Sequence, residues 1–156
     1  LLRDEAKERG LAIERKNLRA ISAEWRRKYG LGILVEKAIE KYKKSPKKYP
    51  GLEVGSLRNP GEADLVHKYG GVIVWVDADP KIRYERIQSR QRSAEDAKTF
   101  EQFLAAERNE MNHLGDEATL NMAGVKERAD IFLENNGSDV EKFKDEAEKA
   151  LKKFLV

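Results

Sequence analysis

Apolar positions along the chain follow two patterns, one typical of helices and one typical of buried strands. In the first fifty residues they recur every three or four positions, as at Leu18 and Ile21, which predicts helices over 14–29 and 33–42. By contrast, residues 72–76 are apolar without a break, as in a parallel strand that is buried on both faces. The combination predicts an α/β protein.

Two further apolar segments predict strands, one ending near Gly55 and one over 129–133. The strand ending near Gly55 and the strand at 72–76 are each followed by a helix start. Asn59 and Asp79 can cap a helix, and each is followed by proline, which fits the first helical position. Strands that alternate with helices in this way indicate right-handed βαβ units. Ligands of such open sheets bind outside the carboxyl ends of the strands.

Composition excludes several classes of site. Cysteine is absent, so the chain forms no disulfide, thiol catalyst or zinc–thiolate site. His67 and His113 have no paired carboxylate at ligand spacing, so no transition metal held by the protein is predicted. No apolar run approaches the ~20 residues that cross a bilayer. We therefore expect a cytoplasmic protein without a membrane partner, and its oligomeric state stays open.

Charge is distributed unevenly along the chain. Residues 1–50 contain 15 Lys and Arg against 7 Asp and Glu, whereas the remainder contains 16 against 21. A basic first third suits a phosphorylated small molecule or nucleic acid, although a solvated helical face is the simpler interpretation of the lysines. Nucleic acid is the least favoured partner, because residues 41–48 offer few aromatic side chains for stacking beyond Tyr42 and Tyr49.

The strongest chemical signal is a cluster of arginines after the strand at 72–76. At 100° per residue, Arg83, Arg86 and Arg90 lie within a helical stripe of about 60°, and Arg92 follows it. Like charges at these spacings repel one another, which a solvated face or a bound polyanion would tolerate. The polar segment that follows, and then a helix over 100–112, is similar to a mobile lid that places arginines over a phosphate.

Other candidates are weaker when each is taken alone. Arg58 follows a predicted strand at the edge where ligands bind, but a surface ion pair would also explain it. Arg3 alone is a charged helix residue. The Asn135-Asn136-Gly137 sequence could wrap a ligand ring with its backbone or form an ordinary strand-to-helix turn.

Taken in order, several segments resemble P-loop nucleotide kinases of the dephospho-CoA kinase and nucleoside-monophosphate-kinase type, and most of all the nucleotide-kinase-like proteins of archaea and bacteria in that group. The segments that carry the likeness are Leu2-Arg3-Asp4-Glu5-Ala6-Lys7-Glu8-Arg9-Gly10, Leu57-Arg58-Asn59-Pro60-Gly61-Glu62, Val76-Asp77-Ala78-Asp79-Pro80, Arg83-Tyr84-Glu85-Arg86, and Ala129-Asp130-Ile131 through Asn135-Asn136-Gly137. They cover nearly the whole chain.

The resemblance implies a fold, a reaction and residue roles. The fold would be a three-layer parallel sheet with helices on both faces and a small helical lid, and the reaction would be ATP-dependent phosphoryl transfer to a nucleotide-like acceptor. Arg3 and Arg58 would bind the acceptor phosphate. On the lid side, Arg86, Arg90 and Arg92 would stabilise the transition state. In the last loop, Asn136 and Gly137 would contact the adenine. Mg²⁺ would be held mainly by the nucleotide.

Within a single domain over 1–156, the resemblance divides the chain into four regions. Residues 1–50 would form a helical acceptor-binding region and residues 51–90 the core strands. Residues 91–112 would form the lid with its following helix, and residues 113–156 a C-terminal core.

Two departures from the family pattern change the expectation. The sequence contains no G-x-x-x-x-G-K-[ST] loop, which cradles the β- and γ-phosphates, and Gly55-Ser56 stands where many relatives have Asp-Gly, so a carboxylate that could help hold Mg²⁺ is absent. We therefore expect a kinase-like chain without its N-terminal segment and without the central strand, inactive or nearly so. The alternatives are a member that has lost catalysis and a non-catalytic module that binds a phosphorylated ligand. On each interpretation, Arg3, Arg58 and Arg86 should converge on one bound anion.

Overall fold

The computed structural model describes residues 1–44, 49–90, 98–111 and 115–154. In chain order, its elements are α1 (Leu2–Glu8), α2 (Arg15–Tyr29), α3 (Ile33–Lys43), α4 (Pro60–Lys68), β1 (Val74–Asp77), α5 (Pro80–Arg90), α6 (Phe100–Met111), α7 (Met122–Lys126), β2 (Ile131–Glu134) and α8 (Val140–Leu151).

The predictions of helices over 14–29, 33–42 and 100–112 are confirmed to within one or two residues, whereas a helix predicted over 118–125 begins only at Met122. Asn59 caps α4 through a side-chain bond from Gly61 N, and Glu62 accepts in return from the backbone of Asn59, as the predicted capping box requires. Asp79 likewise accepts from Lys81 N at 2.8 Å at the start of α5.

The strand predictions are confirmed at two of the three positions. β1 and β2 form one parallel pair in which Val74 is opposite Ile131 and Asp77 is opposite Glu134. The predicted strand ending near Gly55 is wrong, since residues 51–58 form no regular element. A strand needs a neighbour to accept its backbone hydrogen bonds, and no described strand pairs with this segment.

The chain divides into two compact units, each formed by two segments. The first comprises Leu1–Gly71 and Met111–Arg128, and the second comprises Val72–Glu110 and Ala129–Val156. The expectation of a single domain over 1–156 stays a prediction.

The first unit is helical and is built around a small apolar core. Its buried members come from the first three helices, and partly buried leucines pack against them; together these are Ala6, Ile21, Trp25 and Ile33 with Leu2, Leu18 and Leu34. The start of α4 approaches the turn before α3 closely at a glycine, because a Cβ on Gly61 would lie only 2.3 Å from Leu31 Cβ. This contact fixes the start of α4, which becomes important for the site.

Among its described residues, the second unit contains the parallel pair and three helices. Tyr84 of α5 packs on Phe100 and Phe103 of α6, with ring centroids 5.3 and 5.7 Å apart, and α8 packs on β2. The described residues therefore form an α/β structure that is mainly helical, with a two-stranded parallel sheet. Within them, no helix has both the length and the apolar character that a bilayer span requires.

Candidate functional site

In the second unit, the carboxyl ends of the two strands are tied together by hydrogen bonds. Asn135 N donates to the Asp77 carbonyl at 2.7 Å, and Asp79 N donates to Asn136 Oδ1 at 2.7 Å. The turn after β1 and the turn after β2 are thus bound to each other at the sheet edge where ligands of open α/β sheets bind. We call these two turns, residues 77–79 and 135–137, the carboxyl edge.

Arg86 fastens the second of these turns from the side of α5. Its Nη1 donates to the Asn135 carbonyl at 2.7 Å, and its Nη2 donates to the Gly137 carbonyl at 2.6 Å. A charged donor makes such bonds about twice as strong as neutral ones. The structure therefore brings together Arg86, Asn136 and Gly137, three of the residues singled out from the sequence.

Arg83 fastens the first turn, residues 77–79, in the same way. It was not among the site residues predicted from the sequence. Its Nε and Nη2 donate to the two oxygens of Glu107 at 2.8 and 2.7 Å, while Nη1 donates to Asp77 Oδ1 and to the Ala78 carbonyl. Hydrogen bonding to Glu107 raises the pKa of Arg83 above its ordinary value, so the guanidinium stays charged. In the sequence, the only signal for this contact was Asp77, the acidic residue that ends β1.

The remaining lid candidates are placed only in part. Arg90 is exposed in the last turn of α5. Arg92 and the polar segment at 91–97 lie outside the described residues. Their assignment to a lid stays a prediction.

In the first unit, Arg58 lies in a turn that leads into α4. Ser56, two residues earlier, has a φ of 64°, in the left-handed region that non-glycine residues seldom occupy. The Arg58 backbone is bound on both sides: its N–H donates to Glu62 Oε2 at 2.7 Å, and its carbonyl accepts from Asn121 N at 2.9 Å. We call residues 55–58 the Arg58 turn.

Beneath the Arg58 turn lies a buried ion pair that sequence reasoning missed. Arg26 donates to Glu62 Oε1 through Nε at 3.1 Å and Nη2 at 2.6 Å, and the two side chains are only 1% and 3% exposed. Arg26 Nη1 also donates to the Ala118 carbonyl at 3.1 Å. In the sequence, Arg26 belongs to a basic run at the end of α2, and nothing there distinguishes it from solvated neighbours.

Asn59 extends this buried network. Its side chain is fully buried, accepts from Gly61 N at 2.9 Å and donates to the carbonyls of Glu117 and Thr119 at 2.7 and 3.1 Å. In the described part of the chain, no buried side-chain nitrogen or oxygen lacks a hydrogen-bond partner. The start of α4 is therefore a satisfied and rigid polar core.

Arg3 is exposed on α1, in the same unit as Arg58. Arg86, Arg90, Asn136 and Gly137 belong to the second unit. Convergence of arginines from both units on one anion stays a prediction.

The first unit also contains an open cavity of about 340 Å³ beside the start of α3. Its lining combines glycine backbone with apolar and charged side chains from Tyr29, Gly30, Gly32, Ile33, Glu36, Gly61, Asp64, Leu65 and Lys68. Asp64 is engaged by Arg128, whose Nε donates to it at 2.6 Å.

Comparison with known proteins decides the family. A UPF0200 protein of Pyrococcus abyssi is 30% identical over 158 residues, which span 99% of this chain and 80% of that relative. The chain belongs to the UPF0200 family. A UPF0200 protein of Sulfurisphaera tokodaii is 31% identical over 145 residues, spanning 92% of this chain and 75% of the relative.

A further relative carries the names of two families, UPF0200 and UPF0201. The UPF0200/UPF0201 protein of Archaeoglobus fulgidus is 28% identical over 141 residues, and the match spans 88% of this chain but only 41% of that protein. No protein-family model matches the chain, and no solved structure matches it. Residue roles in this UPF0200 protein are therefore argued from its own contacts.

Proposed function

We propose that this UPF0200 chain binds an adenine nucleotide and a phosphorylated acceptor and belongs to a phosphotransferase of the nucleotide-kinase type. The carboxyl edge would bind the adenine ring, with Asn136 and Gly137 as its contacts. Arg58 and Arg3 would bind the acceptor phosphate, and a nucleotide-like acceptor would be the substrate. Mg²⁺ would come with ATP and neutralise the phosphate oxygens.

The observation that supports this proposal best is the pair of turns locked together at the carboxyl edge. Binding costs less when the recognising backbone is ordered before the ligand arrives. At the carboxyl edge, Arg86 fixes the carbonyls of Asn135 and Gly137, and Asn136 is fixed by Asp79 N. A rigid backbone turn outside parallel strands suits a flat, uncharged ring such as adenine.

These contacts divide the roles of the lid arginines more finely than the sequence did. Arg86 donates to backbone carbonyls, so we assign it to positioning the adenine turn. The proposal leaves stabilisation of the transferred phosphoryl group to Arg90 and Arg92. Because residues 1–156 contain no G-x-x-x-x-G-K-[ST] sequence, we assign no residue of this chain to cradling the β- and γ-phosphates.

We further propose that β1 and β2 belong to a larger parallel sheet covered by helices on both faces. Val76 and Phe132 lie on opposite faces of the pair, since they are one register position apart. Both are unusually exposed for large apolar residues, at 52% and 59%. Apolar side chains on both faces support the three-layer arrangement expected for this kinase type.

The test of the nucleotide site is calorimetric titration with Mg·ATP. We expect wild-type protein to bind and Arg86→Gln to bind at least about tenfold more weakly, because the turn at 135–137 loses both charged hydrogen bonds. The matched control is Arg108→Gln, which removes the same charge at an exposed position of α6. Equal affinity in all three proteins, or no binding at all, would rule out the proposed adenine site.

Catalysis is tested separately, by assaying phosphotransfer to nucleoside monophosphates and dephospho-CoA after fusion of a phosphate-loop segment to the N-terminus. Transfer of the γ-phosphoryl group supports a kinase. Nucleotide binding without transfer in the fused protein supports the alternative, a non-catalytic module that binds phosphorylated ligands.

A further inference from the structure

The Arg58 turn combines backbone strain with unusually complete anchoring. Ser56 is the one non-glycine residue with a positive φ in the part of the chain that the structure describes. A left-handed conformation is unfavourable for a residue with a side chain. Such a conformation persists only where its surroundings impose it, and it is most common at ligand sites.

The constraint on this turn comes from one carboxylate oxygen and one backbone amide. Glu62 Oε2 accepts the N–H of Arg58 at 2.7 Å and the N–H of Asn59 at 3.2 Å. From the opposite side, Asn121 N donates to the Arg58 carbonyl at 2.9 Å. The backbone at Arg58 is therefore held at both of its polar groups, and its Cα cannot shift unless one of these bonds breaks.

The other oxygen of Glu62 is committed to Arg26. Two donors of the Arg26 guanidinium converge on Oε1, and a third reaches the Ala118 carbonyl, so the carboxylate cannot rotate. Both side chains are almost completely buried. A buried ion pair often stabilises a fold no more than apolar residues of similar shape would, because desolvation offsets the attraction. What apolar residues could not do is present a fixed acceptor to the Arg58 turn.

We propose that Arg26 and Glu62 are positioning residues for Arg58. Glu62 Oε2 sets the backbone of the turn, and Arg26 sets Glu62, so that Arg58 meets a phosphate group without first having to be ordered. This inference rests on the proposed function, in which Arg58 binds the acceptor phosphate. Neither positioning residue touches the ligand.

A matched pair of double variants separates positioning from stability. The acceptor-retaining variant, Arg26→Met with Glu62→Gln, removes both buried charges but keeps an acceptor oxygen for the Arg58 N–H. The acceptor-free variant, Arg26→Met with Glu62→Leu, removes the same charges and keeps a similar shape, but provides no acceptor. The two proteins differ at position 62 alone, where glutamine offers the turn an acceptor and leucine does not.

The probe is inorganic pyrophosphate, an anion that carries no base and so does not depend on acceptor identity. Its affinity is measured from the ¹⁵N chemical shifts of Ser56 and Leu57. We expect the acceptor-retaining variant to bind about as tightly as wild type. The acceptor-free variant should bind roughly tenfold more weakly, the lower end of what loss of an outer partner costs in metal sites. Arg58→Gln should abolish the response.

Each outcome has a distinct meaning. Equal affinities of the two double variants would overturn the positioning role and leave the proposed acceptor site intact. No response of the wild-type turn to pyrophosphate would overturn the acceptor site at Arg58, and the positioning role would fall with it.

Hydrogen exchange of the wild-type Arg58 amide gives a second test that needs no variant to fold. Positioning predicts that this amide exchanges as slowly as the buried amides of α2. Fast exchange through local opening would contradict it.

Discussion

Three arginine side chains in the described part of this protein bind backbone carbonyls or carboxylates that position nearby segments. Arg83 and Arg86 each hold one turn of the carboxyl edge, and Arg26 holds Glu62. The stripe of arginines on α5 could be predicted from spacing alone, but its partners could not. The partners of Arg86 lie 49 and 51 positions away in the chain, and a single sequence does not show which distant groups meet.

Exposed ion pairs supply a residue-scale prediction about pH. Arg9 binds the two oxygens of Glu24 at 2.7 and 3.0 Å, and this hydrogen bonding lowers the pKa of Glu24 below its ordinary value of 4.5. Because the folded pKa is the lower one, the pair stabilises the fold above pH 4.5 and the contribution is lost as pH falls through the folded value. The Glu24→Gln variant should therefore lose less stability than wild type between about pH 6 and the acid limit.

The measurement is the urea midpoint across that pH range, and Glu8→Gln, an exposed change of the same charge on α1, is the control. If wild type and the Glu24→Gln variant lose stability in parallel, the ion pair does not contribute in solution.

At the scale of elements, sequence predicted the helices well and the strands only in part. Caps such as Asn59 with Glu62 are local signals, and the structure confirms them. β1 and β2 were predicted because each is a short apolar run. The segment at 51–55, Gly-Leu-Glu-Val-Gly, has only two large apolar side chains and forms no strand, and its Leu52 is 42% exposed. Strand formation depends on a partner, which composition does not supply.

The close approach of α4 to the turn before α3 supplies an element-scale prediction. Gly61→Ala would place a Cβ 2.3 Å from Leu31 Cβ, well inside van der Waals contact. The turn before α3 and the start of α4 must separate to accommodate it, and overpacking of this kind typically costs about 1–3 kcal/mol. We expect a corresponding loss in the free energy of unfolding, measured by urea denaturation. This loss should occur even though alanine is the better helix former.

Gly51→Ala is the matched control, since no atom lies within 4 Å of its added Cβ. A Gly61→Ala protein as stable as the Gly51→Ala protein would show that the contact between Gly61 and Leu31 is looser than described.

At the scale of the whole molecule, the two units differ in charge. The first contains 19 Lys and Arg against 13 Asp and Glu, and the second contains 12 against 15. A basic first unit fits its proposed role in binding an acceptor phosphate, and a less basic second unit fits recognition of an uncharged ring. The sequence indicated the basic first third, but not the division into units, because each unit combines two separate segments of the chain.

The central claim is that an adenine nucleotide binds at the carboxyl edge of β1 and β2. The most direct measurement is a ¹⁵N NMR titration of the protein with Mg·ATP, with backbone amides assigned. The account predicts the largest shift changes at Ala78, Asp79, Asn136 and Gly137. Saturating Mg·ATP that leaves these four amides unchanged would contradict it.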